Sequence, residues 1–308
     1  MGARSVSEHS CERAASSLPA RAGVGFKSVH LADVEASARN VGFFEIHAEN
    51  YMGAGGTPHA QLMRLRRDSP LSIHGVGLSI GGAEPLDREH LRRLKTLVER
   101  YDPAACSEHL AWSTQGARFL NDLLPLPYNA ATLAHVVAHV DEIQEALGRP
   151  ILLENPAAYL RFRSLEYSEI EFLREVVRRT DCRLLLDVTN VYVSATNLAF
   201  SAEDYIDAFP MSYVDEIHLA GYAEDVDEIG GPLLIDAHCA PVADAVWRLY
   251  DRALARRGPV ATLIEWDNDV PSWPTLLAQA TRAEAFLERR RRAVKDSLRS
   301  EALHDELG

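Results

Sequence analysis

Eight short apolar runs recur along this 308-residue chain, and nearly every one ends in a residue that can hold a metal ion. They read VGFKS (24–28), FFEIH (43–47), LSIH (71–74), ACSEH (105–109), ILLEN (151–155), CRLLLD (182–187), VDEIH (214–218) and ATLIE (261–265). Between them lie stretches with apolar spacing near 3.6: 31–40, 87–101, 129–147, 168–180 and 240–257. Several open on Ser, Asp or Asn, and Gly148 with Pro150 stops the stretch at 129–147. Strand and helix repeated eight times imply a parallel sheet, and eight is the count that closes a TIM barrel. A doubly wound sheet usually has fewer strands, and no GxGxxG follows the first run. The expected fold class is therefore α/β, a (β/α)8 barrel.

A barrel strand delivers its last residues to one rim, where the active sites of this fold lie. The candidates there are His47, His74, Glu108 with His109, Glu154 with Asn155, Asp187 with Asn190, His218 and Glu265. Asp236 and His238 join them from residues 221–238, the longest connection without an evident element, and long loops in compact domains tend to be functional. Their spacing of two lets both side chains point the same way in an extended segment.

Taken singly, a histidine at a strand end is more often a hydrogen-bonded core or surface residue than a ligand. The carboxylates are harder to dismiss, because burying one at a barrel mouth is costly without a cation or donor. Of the lysines and arginines, only Lys27 stands at a strand end. So many acids and imidazoles at one focus need metal cations. Three or four ligands serve one catalytic ion, so about ten candidates suggest two or three ions with bridging carboxylates. Imidazole and carboxylate without thiolate suit Fe, Mn or Zn. Cys239 beside His238 and Cys106 near Glu108 are weaker candidates; Trp112, Tyr192 and Trp266 are as readily packing as pocket wall. The glycines of HGVGLSIGG (74–82) permit tight turns, but the segment lacks the GK[ST] ending of a phosphate loop.

Composition narrows the function classes. A net charge of −13 argues against nucleic acid as a partner. Four scattered cysteines without a CxxC pair fit a reduced, cytoplasmic protein rather than a disulfide framework. No apolar run approaches the roughly 18–20 residues of a membrane helix, so no membrane role is expected. Residues 1–21 read as a flexible leader, 22–285 as the catalytic barrel and 286–308 as a charged helical tail whose arginines, Arg289 to Arg292, form a solvated face.

The segments EIHAENYM, SIHGVGLSIGG, SEHLAW, LLENP, LLLDVTNVYVSATN, EIHLAG, DAH.AP and TLIEWDNDVP, in this order, resemble one family over roughly residues 22–285. It is the group of multinuclear non-haem iron enzymes that includes the methanobactin oxazolone synthase MbnB and the peptide-modifying TglH. The resemblance implies a xylose-isomerase-like TIM barrel with two or three irons, mixed Fe(II) and Fe(III), and O₂ as co-substrate. It also implies oxidation at a cysteine of a ribosomally made precursor peptide, recognised with a partner protein that forms a heterodimer. Carried over by motif, the iron ligands would be His47, His74, Glu108, Glu154 or Asn155, Asp187, His218, Asp236, His238 and Glu265. Three positions depart from the family pattern: Thr189 for the first Asn of DVNN, Tyr222 for a His, and Cys239 for a Gly. No catalytic base is assigned; His109 and Asp267 are candidates. The rival readings are a Mn, Mg or Zn sugar isomerase or hydrolase on the same barrel, and a non-enzymatic metal-binding protein.

Overall fold

Each of the eight runs becomes a strand in the computed structural model, which describes residues 17–37, 41–116 and 118–305. The strands are β1 (Ala22–Gly25), β2 (Phe44–His47), β3 (Leu71–Gly75), β4 (Ala105–His109), β5 (Trp112–Gln115), β6 (Arg118–Leu124), β7 (Leu152–Glu154), β8 (Arg183–Asp187), β9 (Val214–Ala220), β10 (Ala223–Val226), β11 (Pro232–Ile235) and β12 (Ala261–Glu265). Eight of them close a parallel barrel in the order β1-β12-β9-β8-β7-β4-β3-β2, with β2 returning to β1. This is the expected TIM barrel. The other four strands form two antiparallel hairpins, β5–β6 and β10–β11, in loops that leave the carboxyl ends of β4 and β9.

The helices are α1 (Leu31–Ala36), α2 (Thr57–Arg66), α3 (Arg88–Tyr101), α4 (Ala130–Leu147), α5 (Glu169–Thr180), α6 (Val188–Leu198), α7 (Ala202–Ala208), α8 (Asp244–Arg257) and α9 (Trp273–Asp305). The caps anticipated from sequence are present. Asp87 accepts from the Glu89 and His90 amides, Asn129 from Thr132, and Ser168 forms a reciprocal capping box with Glu171. Gly148 follows α4 in the left-handed region. Three helices were not anticipated: α2, α6 and α7. The α6 stretch VTNVYVSATNL is rich in β-branched residues, and Asp187, the last residue of β8, is itself its N-cap.

Along each barrel strand the residues alternate between an outer face packed on the helices and an inner face. The inner face is layered. Its floor is apolar: Phe43, Ala261 and Leu263 in one cluster, Ala105, Leu152 and Leu185 in another, with Leu18 packed on both. The Phe43 ring lies 2.6 Å from where a Cβ on Gly23 would stand, so that strand position tolerates only glycine. Above the floor sit Glu45, Ser72, Ser107 and Glu216, and at the rim the histidines and carboxylates. The outer face and the helices share one continuous core, from Val24 and Phe44 to Leu287.

Residues 1–16 of the expected leader lie outside the described residues. Residues 17–21 are seated: Ser17 donates to Ala104 O, and Arg21 pairs with Glu284. The 286–308 tail continues α9, which begins at Trp273, and 306–308 lie outside the described residues. Its arginines are more than a solvated face, since Arg289 and Arg290 both bond Asp251 of α8, and Arg291 bonds Glu284 and the Ala20 carbonyl. The 221–238 connection is likewise not irregular. It is the β10–β11 hairpin, closed by the Asp227 carboxylate, which accepts the Ile229 and Gly231 amides.

Candidate metal centre

Strand register assembles the rim in neighbouring pairs. It sets His47 beside His74, His109 beside Glu154, and Asp187 beside His218. His74 Nε2, His109 Nε2 and Glu154 Oε2 make a triangle with edges of 3.3, 3.4 and 3.4 Å. Donors held about 2.0–2.2 Å from one ion stand about 3.0–3.5 Å apart, so this triangle has the span of a coordination face. His109 Nδ1 faces the Gly75 carbonyl at 3.1 Å and must donate to it, which leaves a lone pair on Nε2. His74 Nδ1 lies 2.7 Å from Ser107 Oγ. Two imidazoles and a carboxylate pointing at one spot leave it short of positive charge.

Four further trios share residues with the first or with one another: Glu154, Asp187 and His218; Asp187, His238 and Glu265; His47, Glu265 and Asp267; and, a layer deeper, Glu45, Glu216 and His218. In every trio the donor atoms lie within 4.8 Å of one another. Asp187 spends Oδ1 on the Asn190 amide at 2.6 Å, capping α6, while its buried Oδ2 has no partner. Glu154 Oε2 and His218 Nε2 are buried and without a hydrogen-bond partner as well. Such orphaned atoms cost about 1–3 kcal/mol each, more when charged. Their convergence is what a set of cation ligands looks like before the cation is counted.

The hairpin brings in His238. Its backbone is in the left-handed region at φ 46°, a conformation that costs a non-glycine residue about 1–3 kcal/mol. The amides of Asp267 and Asn268 hold its carbonyl, and the ring is fixed between Asp267 Oδ2 and Asp236 Oδ1, each at 2.9 Å. Gly221 makes the loop possible, because a Cβ there would meet the Ala240 carbonyl at 1.9 Å.

Electrostatics show how the mouth copes without cations. Burial holds His74 well below the usual histidine range and His109 at about 4. Burial also lifts Glu154 far above the carboxylate range, and with the charges of Asp236 and Glu265 it pushes Asp187 up to about 8. Burial beside Glu45 takes Glu216 to about 7. Against the same burial, Glu265 and the neighbouring acids raise His218 and His238 well above the usual range. Burial would raise Glu265 too, but His218 and His238 draw it down to about 2. Protons thus stand in for cations. Among the described residues, Lys27, 2.5 Å from Asp267, is the only lysine or arginine paired with the mouth carboxylates.

Of the expected ligands, His47, His74, Glu154, Asp187, His218, His238 and Glu265 converge in these trios, and Asp236 touches His238. Glu108 and Asn155 do not. Glu108 alternates with the inward Ser107 and His109, so it points outward, against Gly75 and the Leu78 amide. Asn155 has both ends of its amide on the Asp187 backbone, at 3.0 Å each. His109 and Asp267, first considered as bases, are members of trios. Glu45 and Glu216 were missed, although each stands two residues before a strand-end histidine and so shares its face. Cys106 packs in the outer core, and Cys239 is half-buried. Trp266 is buried in the core and Tyr192 packs against Tyr222 with the rings tilted. The mouth opens into a cavity of about 440 Å³, bounded by Lys27, His47, Asn50, Gln61, Glu265 and Asp267.

Fold and site together define a xylose-isomerase-like TIM barrel with clusters able to bind metal at its carboxyl end. Its architecture resembles L-ribulose 3-epimerase (TM-score 0.58, 14% identity, covering 90% of this chain and 97% of that one). It also resembles a xylose isomerase domain protein from Alicyclobacillus acidocaldarius (TM-score 0.54, 15% identity, covering 88% and 99%). At such identities the likeness speaks for fold alone. Sequence is more specific: residues 21–288 match the family described as RiPP precursor modification enzyme MbnB/TglH/ChrH, and the chain belongs to that family. A UPF0276 protein of Rhizobium meliloti (strain 1021) is 54% identical over 284 residues, covering 92% of this chain and 91% of that one. Family and fold together indicate an enzyme. Among the described residues no helix is long and apolar enough to cross a membrane.

Proposed function

We propose that the chain is an O₂-dependent, multinuclear non-haem iron enzyme that oxidatively modifies a cysteine of a ribosomally synthesised precursor peptide, working with a partner protein in a heterodimer. The observation that carries the reading is the set of trios at the mouth, linked through Glu154, Asp187 and Glu265, with orphaned donors aimed inward and, among the described residues, a single lysine beside them. Shared carboxylates are what two or three neighbouring ions require, and a donor set of imidazole and carboxylate fits iron. The residues that would hold the ions are His47, His74, His109, Glu154, Asp187, His218, Asp236, His238, Glu265 and Asp267.

Bound iron would supply a Lewis acid for the substrate thiol and the electrons that O₂ takes up. The protein contributes the surroundings. The 440 Å³ cavity beside His47 and Asp267 admits a side chain to the mouth, where Lys27 moderates the excess of negative charge. Asp267 holds His238, and Ser107 fixes the ring of His74. No residue is assigned as a base, because both earlier candidates sit among the ligands. Anaerobic purification followed by metal analysis, with Mössbauer and EPR spectra, tests the reading, together with O₂ uptake in the presence of a Cys-containing precursor and its partner. Two or three irons per chain and peptide-dependent O₂ uptake are expected. Full activity with zinc or manganese and no O₂ uptake would favour a divalent-metal isomerase or hydrolase instead.

A further inference from the structure

One layer beneath the rim, two carboxylates face the side of His218 that is turned away from the mouth. Glu45 and Glu216 stand on β2 and β9, each two residues before a rim histidine, and they are 2% and 0% exposed. His218 Nε2 lies 3.5 Å from Glu45 Oε1 and 3.8 Å from Glu216 Oε1. Both separations are a few tenths of an ångström beyond hydrogen-bond range of about 3.2 Å, yet among the described residues no other acceptor hydrogen-bonds that nitrogen. The opposite nitrogen, Nδ1, looks into the mouth and lies 3.1 Å from Glu265 Oε2. Ser72 Oγ approaches Glu216 Oε2 at 3.4 Å from β3, while Glu45 Oε2 and Glu216 Oε1 remain buried without a partner.

We propose that Glu45 and Glu216 are positioning residues: they hold the Nε2 proton of His218 and so aim the Nδ1 lone pair at an ion in the mouth. The proposal rests on reading the mouth as a metal centre. A neutral imidazole carries one proton, and the nitrogen that keeps it is the one with an acceptor in reach. At His218 only the inner carboxylates take that proton without occupying the nitrogen that faces the other ligands. A carboxylate behind a ligating histidine also makes the ring a stronger donor. The inner pair therefore acts through the ring and touches neither ion nor substrate. The same strand spacing that hides it below the rim makes it legible: a Glu two residues before the His, on two strands.

Cobalt(II) titration tests this without turnover, iron or peptide. In Glu45→Gln and Glu216→Gln, singly and together, Co(II) should bind about 10- to 100-fold more weakly at the site that contains His218. Its d–d absorption should shift, while the far-UV circular dichroism stays unchanged. A folded double variant whose isotherm and spectrum superimpose on those of the unsubstituted protein overturns the proposal. Nitrogen-15 NMR of the unsubstituted, zinc-loaded protein gives a second reading that does not depend on the variants folding. His218 should show a protonated Nε2 and a metal-shifted Nδ1, and the reverse assignment overturns the proposal. Failure of the unsubstituted protein to bind either metal would remove the metal centre and this inference together.

Discussion

At the scale of single residues, the donor atoms fall into a hierarchy of sharing. Glu154 belongs to two trios, so Glu154→Gln should lower bound metal by about one ion per chain, measured by metal analysis after anaerobic reconstitution. Glu108→Gln is the matching control. Its carboxyl faces the Leu78 amide outside the trios, and metal content should stay unchanged even if thermal stability moves. This pair also shows where strand-end reading reaches its limit. SEH and LEN each offer two adjacent polar residues at a strand end: Glu108 is the expected ligand with His109 a candidate base in the first, and Glu154 or Asn155 the expected ligand in the second. Pleating sends only one of each pair inward, His109 in the first and Glu154 in the second. Which one cannot be told from the dipeptide, because it depends on where the barrel starts each strand.

At the scale of elements, the loops after β8 and β9 carry the parts of the site that periodicity does not reveal. Thr189, one of the departures from the family pattern, stitches α6 to the end of β9, its Oγ1 donating to the Ala220 carbonyl at 3.0 Å and accepting the Ala220 amide at 2.8 Å. Thr189→Ala would leave both buried groups unpaired and should cost about 1–3 kcal/mol, read from urea unfolding. Gly221→Ala should do more: its Cβ would strike the Ala240 backbone, shifting the segment that holds His238. The expected result is weaker metal binding at the Asp187–His238–Glu265 trio, detectable by titration even where the barrel stays folded. Both the β10–β11 hairpin and α6 escaped sequence reading for physical reasons. The hairpin strands are four residues each, and α6 is built from β-branched residues that take helical form because Asp187 caps them.

At the scale of the whole molecule, the mouth sets an unusual pH dependence for the metal-free protein. Asp187 at about 8, against an ordinary 3.8, and Glu216 at about 7, against 4.5, are both raised on folding. Their contribution to stability is complete below their unfolded values and is lost as pH rises through 7 and 8. His218 and His238, also raised, add to the same trend. Glu265, at about 2, acts in the opposite sense as pH falls through that value. His74 and His109, held low by burial, oppose the trend up to histidine's unfolded 6.5, so the fall is steepest above it. The melting temperature of chelator-treated protein should therefore fall between pH 5 and pH 8. Divalent metal should remove or reverse that fall, since a cation replaces the protons. From sequence alone came the barrel, through eight apolar runs with helical stretches between them, and most of the candidate ligands, because a parallel strand must end at the common rim. Only the tertiary structure decided which donors converge, which turn outward like Glu108, and that Glu45 and Glu216 lie behind His218. Those outcomes depend on register and loop closure between strands far apart in the chain, and no local pattern encodes either.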